Sequence, residues 1–158
     1  MGDNQASPVL EPAQERKLAA SLFNEVWRLM DLPERTETED AAMLHGAHAS
    51  CYHWMQAGEP VNRARGEWQV SRVYSMLGRP EAAYLHAQKV LDTCQREGIG
   101  DFDLAFAYEA LARASALGGD TEAARNWAAQ ARAASQTITD TEDRDLVLAD
   151  LATIPALG

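Results

Sequence analysis

The chain of 158 residues reads as an all-α protein of seven antiparallel helices. Segments rich in Ala, Leu, Glu, Gln and Arg, all strong helix formers, fill most of its length. Prolines stand where these segments begin and glycines where they end. No run alternates apolar and polar residues with β-branched enrichment for long enough to make a strand.

Taken in order, the first helix is predicted near 12–31, with Pro12 at its first position, where a fixed φ and a missing N–H cost nothing. The second, near 37–57, opens on Thr36 and Glu39 at capping-box spacing and closes at Gly58. Pro60 opens a third at 60–77, closed by Gly78, and Pro80 a fourth at 80–97, closed by Gly98. Asp101 and Asp120 each follow a glycine and are expected to accept the first free N–H groups of helices at 101–117 and 120–136. The Gly118-Gly119 pair separates those two. Thr139 and Glu142, again at capping-box spacing, precede a seventh helix at 141–152. Residues 1–11 are expected to form a flexible tail and 155–158 a loose end, leaving one domain over 12–154. Connections of about two to five residues force sequential helices to pack antiparallel.

Periodicity ranks the helices by burial. Residues 101–117 are apolar nearly all round, with Glu109 and Arg113 as the main interior charges, so this helix must be covered on several sides. Residues 120–136 place Ala124, Trp127 or Ala128, and Ala131 on one stripe, the pattern of a half-exposed helix. A buried helix beside a one-sided one suits a layered array better than a symmetric four-helix bundle.

Composition bounds the function. A chain this long buries roughly 68–70% of its unfolded surface and needs no metal or disulfide to fold. Lys and Arg number 14 against 24 Asp and Glu, a formal charge of −10, and all but two of the cations are arginine. Such acidity argues against nucleic acid and against an anionic membrane surface. The N-terminal residues show no basic and apolar signal segment, and Ala6 stands where a myristoylation site has Ser or Thr. No apolar run reaches the length of a membrane span. Cys51 and Cys94 read as two buried thiols, and the expected location is the cytoplasm.

The chain repeats itself at a spacing of 41 residues: Gly78-Arg79-Pro80-Glu81-Ala82-Ala83 matches Gly119-Asp120-Thr121-Glu122-Ala123-Ala124. Ala87 then meets Ala128 and Val90 meets Ala131. Upstream, Tyr74 meets Ser115 and Ser71 meets Ala112. Each unit is a helix, a glycine turn and a second helix with small residues that let neighbours approach closely. This pattern resembles the tetratricopeptide repeat over two units, about 64–97 and 105–138, although that family's repeat is about 34 residues. The pair at 12–31 and 37–57 resembles a degenerate first unit, and 141–152 the helix that caps such arrays. The resemblance implies helical hairpins stacked as a right-handed α-solenoid. It further implies a non-enzymatic protein-interaction module in which the first helix of each unit lines a concave groove for a partner segment.

The groove positions implied by the resemblance fall on Arg65, Trp68 and Arg72 in one unit and on Phe106, Glu109 and Arg113 in the next. Arg72 and Arg113, at equivalent places, could clamp a carboxylate or phosphate of an acidic peptide. Replacing both with Ala is then expected to abolish capture and leave helicity intact. The competing reading is local pairing, since Glu109 and Arg113 lie four apart on one helix, as do Arg63 and Glu67. The family's Lys and Asn carboxylate-binding pattern is absent.

A secondary polar cluster, His45, His48, Tyr52 and His53, lies on the second helix, with the first three on one face. Two imidazoles three apart can share a metal, with Glu67, His86 or an acid elsewhere in the sequence as a third ligand, in an alternative metal-site or small-ligand bundle. Polar positions on an inter-helix face explain the cluster as well. Trp27, Trp54 and Trp127 suggest a further alternative, a structural homodimer in which they cover one another or a second copy. No phosphate loop, EF-hand, nucleophile elbow or His-Glu-x-x-His motif is present. Catalytic residues, metal ligands and cofactors are therefore not assigned.

Overall fold

The computed structural model describes residues 9–155 and Leu157. Those residues form seven α-helices and no strand: α1 (Pro12–Met30), α2 (Glu37–Ala57), α3 (Pro60–Met76), α4 (Pro80–Glu97), α5 (Asp101–Leu117), α6 (Thr121–Ser135) and α7 (Thr141–Ala152). No helix among them is long and apolar enough to cross a membrane.

Local chemistry sets most of these boundaries. Pro12, Pro60 and Pro80 each occupy the first helical position. Thr36 and Glu39 close the expected box: the Thr36 N–H donates to Glu39 Oε2 at 2.8 Å and the Glu39 N–H to Thr36 Oγ1 at 3.2 Å. Asp120 accepts from the Ala123 N–H at 3.0 Å. Two caps differ from expectation. Asp140, not Thr139, caps α7, its carboxylate accepting the Asp143 N–H at 3.0 Å. Gly100 caps α5, so Asp101 is the first helical residue, held at a φ of 58°.

The 41-residue repeat survives as geometry. Gly78 and Gly119 both take left-handed φ values, 70° and 83°, which glycine adopts without a Cβ clash. The N–H of the next residue then reaches back to the same relative carbonyl, Arg79 to Tyr74 at 2.9 Å and Asp120 to Ser115 at 3.0 Å. Beyond each turn, Ala83 and Ala124, and Ala87 and Ala128, are all wholly buried. Ala112 is too, and Ser71, its match, donates its hydroxyl to the Ala83 carbonyl at 2.8 Å. Ser115, in the place of Tyr74, is also buried.

Each helix packs on the next, and the odd-numbered helices also meet one another: α1 touches α3, α3 touches α5, and α5 touches α7. The backbones of α2, α4 and α6 do not approach one another in this way, and α2 meets α4 only through side chains such as His48, edge-on to His86 at 5.4 Å. The odd helices therefore form one layer and the even ones lie behind it. Helix α5 is buried on almost every side, as its composition predicts. Two core clusters share it, one with α3 and α4, the other with α6 and α7. A third joins α1, α2 and α3. There, Gly66 lets α3 approach α2 so closely that a Cβ would stand 3.3 Å from Cys51 Cα.

The ends of the chain need one correction. The first eight residues of the expected tail lie outside the described residues; within the remainder, Glu11 is the N-cap of α1. In the expected loose end, Ala156 and Gly158 also lie outside, but Leu157 packs on the α5–α7 core beside buried Ile154.

Candidate functional site

The odd-helix layer encloses a groove of about 810 Å3. Arg65, Trp68 and Arg72 of α3 and Phe106 of α5 line it, as the sequence predicts. So do residues the sequence did not indicate: Phe23, Trp27 and Met30 from α1, Phe102 and Asp103 from α5, and Asp143, Leu146 and Asp150 from α7. Its floor is aromatic. Trp27 stacks on Trp68 at 5.7 Å between centroids, Phe106 meets Trp68 edge-on at 5.8 Å, and Phe102 lies 4.7 Å from Phe106. Apolar surface is left open there, with Trp27 37% and Leu146 50% exposed.

Glu109 and Arg113 stand apart from that lining. Glu109 is completely buried, and Arg113 grips its Oε1 through Nε at 2.8 Å and Nη2 at 2.6 Å. The same Nη2 donates to the Asp150 carbonyl at 2.9 Å and to Thr153 Oγ1 at 2.8 Å, tying α5 to α7. Arg72 pairs with the Asp150 carboxylate, lies 3.9 Å from Glu109 Oε2, and covers the Trp68 ring at 5.3 Å. The expected anion clamp is thus corrected. Both arginines neutralise carboxylates of their own chain, because burying Glu109 without them would leave an uncompensated charge. The local Glu109–Arg113 pair forms, whereas Arg63 and Glu67 do not pair. Arg63 instead donates to the Gly58 carbonyl at 2.7 Å.

The histidines are likewise distributed among partners. His53 bonds Glu15 across α1 and α2, with exposed Tyr52 edge-on to it at 5.4 Å. His45 is exposed. His48 Nε2 lies 2.8 Å from Tyr74 Oη, and His86 Nδ1 lies 2.5 Å from Glu67 Oε2 while its ring stacks on Tyr74. Among the described residues, no group of three or more His, Cys, Asp or Glu side chains is arranged to hold a metal ion. Trp27 stacks on Trp68 but stays 37% exposed, Trp127 stacks on Tyr108, and Trp54 packs beside Gly58 and Gly66, so the three tryptophans expected to cover one another or a second copy do not cover one another.

These environments move several pKa values. Burial pushes the Cys51 thiol up to about 12 and the Cys94 thiol to about 11, so both are protonated and poorly nucleophilic near neutrality. Burial, reinforced by the charge of His86, holds His48 below the ordinary histidine range, with His45 and Lys89 acting the same way and Glu67 opposing. Burial alone would raise Glu67, but its hydrogen bond to His86, the charge of that ring and Lys89 bring it below the usual carboxylate value.

Both effects have the same sign. As pH falls below about 6.5, the unfolded chain protonates His48 while the folded one resists, so stability declines. The contribution of Glu67 is present above its unfolded value of about 4.5 and is lost at lower pH, through its depressed folded value. His48→Gln, which keeps a side chain able to bond Tyr74, is expected to lose less stability than the native chain between about pH 7.5 and 5.5. Urea unfolding midpoints at the two pH values measure it; equal losses in both proteins refute the assignment.

Comparison of the chain with known protein families, curated proteins and solved structures finds no match.

Proposed function

We propose that the chain is a non-enzymatic interaction module, a right-handed α-solenoid of tetratricopeptide-like hairpins that holds a partner segment in the groove of its odd helices. The groove itself carries this reading: aromatic and aliphatic side chains from five helices, the four odd-numbered ones and α4 through Val90, converge on one open concavity and leave apolar surface uncovered. The matching turns at Gly78 and Gly119 and the contacts among odd helices support the solenoid arrangement. Open apolar surface bounded by charged residues is the anatomy of a docking site.

Short random peptides displayed as a library and selected against the full chain test the reading. Enriched peptides are expected to lose at least about tenfold in affinity on Trp27→Ala, which removes a large aromatic anchor, and less on Leu146→Ala. Each variant must melt with the native chain. Peptides whose affinity is indifferent to both substitutions, or a selection that enriches nothing, overturn the groove as the binding site.

A further inference from the structure

We infer that the segment fitting this groove is basic, with lysine or arginine side chains set among aromatic or aliphatic ones; the inference rests on the groove being the binding site. Five carboxylates line the groove against two guanidiniums. Both guanidiniums are already committed. Arg65 holds Asp103 in a two-pronged bond at 2.8 and 3.0 Å, and Arg72 holds Asp150 while lying over Trp68. That leaves Asp31 at the end of α1, Asp101 at the start of α5 and Asp143 in the first turn of α7, none in an ion pair among the described residues. They belong to three different helices around one concavity, so an occupant would meet carboxylates that hold no ion pair from several sides, Asp143 being the one whose charge also acts on Arg65.

The aromatic floor adds to this preference, because the ring faces of tryptophan attract cations. An acidic segment faces the opposite situation. It would meet like charge at the rim, and recruiting Arg72 would strip Asp150 of its partner and weaken the cationic surroundings of buried Glu109. A second copy of the chain is disfavoured by the same electrostatics, each copy carrying −10. A basic segment satisfies both features of the groove. Its cations answer the free aspartates, and its apolar side chains cover Trp27 and Leu146.

The peptides enriched in the selection are read for net charge, and their affinities are measured on the native chain and on Asp31→Asn/Asp101→Asn/Asp143→Asn. Asn keeps the shape of each side chain and tolerates the left-handed backbone at position 101. The enriched peptides are expected to be positively charged, to weaken about tenfold on the triple variant and to weaken again as salt is raised. Neutral or acidic peptides that lose affinity on Trp27→Ala but not on the triple variant overturn the inference and leave the groove standing. Peptides insensitive to Trp27→Ala and to the triple variant overturn both. A dimer in sedimentation that Trp27→Ala dissociates shows a second copy in the groove and overturns the basic segment.

Discussion

Arg113→Ala is expected to destabilise the chain by about 3–5 kcal/mol, the usual cost of removing one partner from a buried ion pair. At this length that corresponds to a fall of roughly 6–20 °C in the midpoint of thermal unfolding. The loss is large because Glu109 has no access to water, and its remaining cation, Arg72, lies 3.9 Å away. Arg113 also supplies the bonds to the Asp150 carbonyl and to Thr153 that hold α7 against α5. Circular dichroism melts measure the effect. The paired change Glu109→Leu/Arg113→Met removes both charges at once and should cost less than Arg113→Ala alone, since nothing charged is left unpaired at that point. A melt of Arg113→Ala within about 2 °C of the native chain would falsify the keystone role of the pair. The Arg72/Arg113 double alanine variant follows from the same argument: it removes both cations around Glu109, so intact helicity is no longer its expected outcome.

A loss of about 2–5 kcal/mol is expected for Leu111→Ala, toward the upper end of that range. Leu111 is fully buried in the cluster joining α3, α4 and α5, where its neighbours include Ala64, Ala87, Ala107 and Ala110. Alanines have no rotamers with which to fill a vacated volume, so closing the cavity would require whole helices to shift. Leu111→Met, nearly equal in volume, should cost less than about 1.5 kcal/mol. Chemical denaturation of the two variants separates a packing role from mere apolarity. Equal losses would show that the site is not tightly packed.

Much of the fold was legible because helix signals are local. A proline at the first turn, Thr36 with Glu39, and a left-handed Gly98 act over a few residues and owe little to the rest of the chain. Where two candidates competed within such a window, the choice was harder to read. Thr139 and Asp140 both offer an oxygen at the start of α7, and the carboxylate does the capping. The repeat exposed the groove residues on α3 and α5 because matching glycine turns align those two helices. Helix α1 has no such turn: Asp31-Leu32-Pro33-Glu34-Arg35 connects it to α2. Its Phe23, Trp27 and Met30 therefore could not be placed in register, and Trp27 read as a surface aromatic. Helix α7 read as a cap, although Asp143, Leu146 and Asp150 close one side of the groove.

The sequence by itself determined that the chain is helical, where each helix begins and ends to within a residue or two, and that α5 lies at the centre. Propensity, capping and apolar periodicity are properties of short windows. Only the tertiary structure decided the electrical character of the groove. Arg72 meets Asp150 across 78 residues of sequence and Arg65 meets Asp103 across 38. No short window contains both partners of either pair, and an arginine on a groove-facing position looks the same in sequence whether it is free or neutralised. Folding brought Asp103 to Arg65 and Asp150 to Arg72, and with Arg113 held by Glu109 four residues away, the expected anion clamp of Arg72 and Arg113 becomes a structural brace. The aspartates left over then define a negatively charged, aromatic groove.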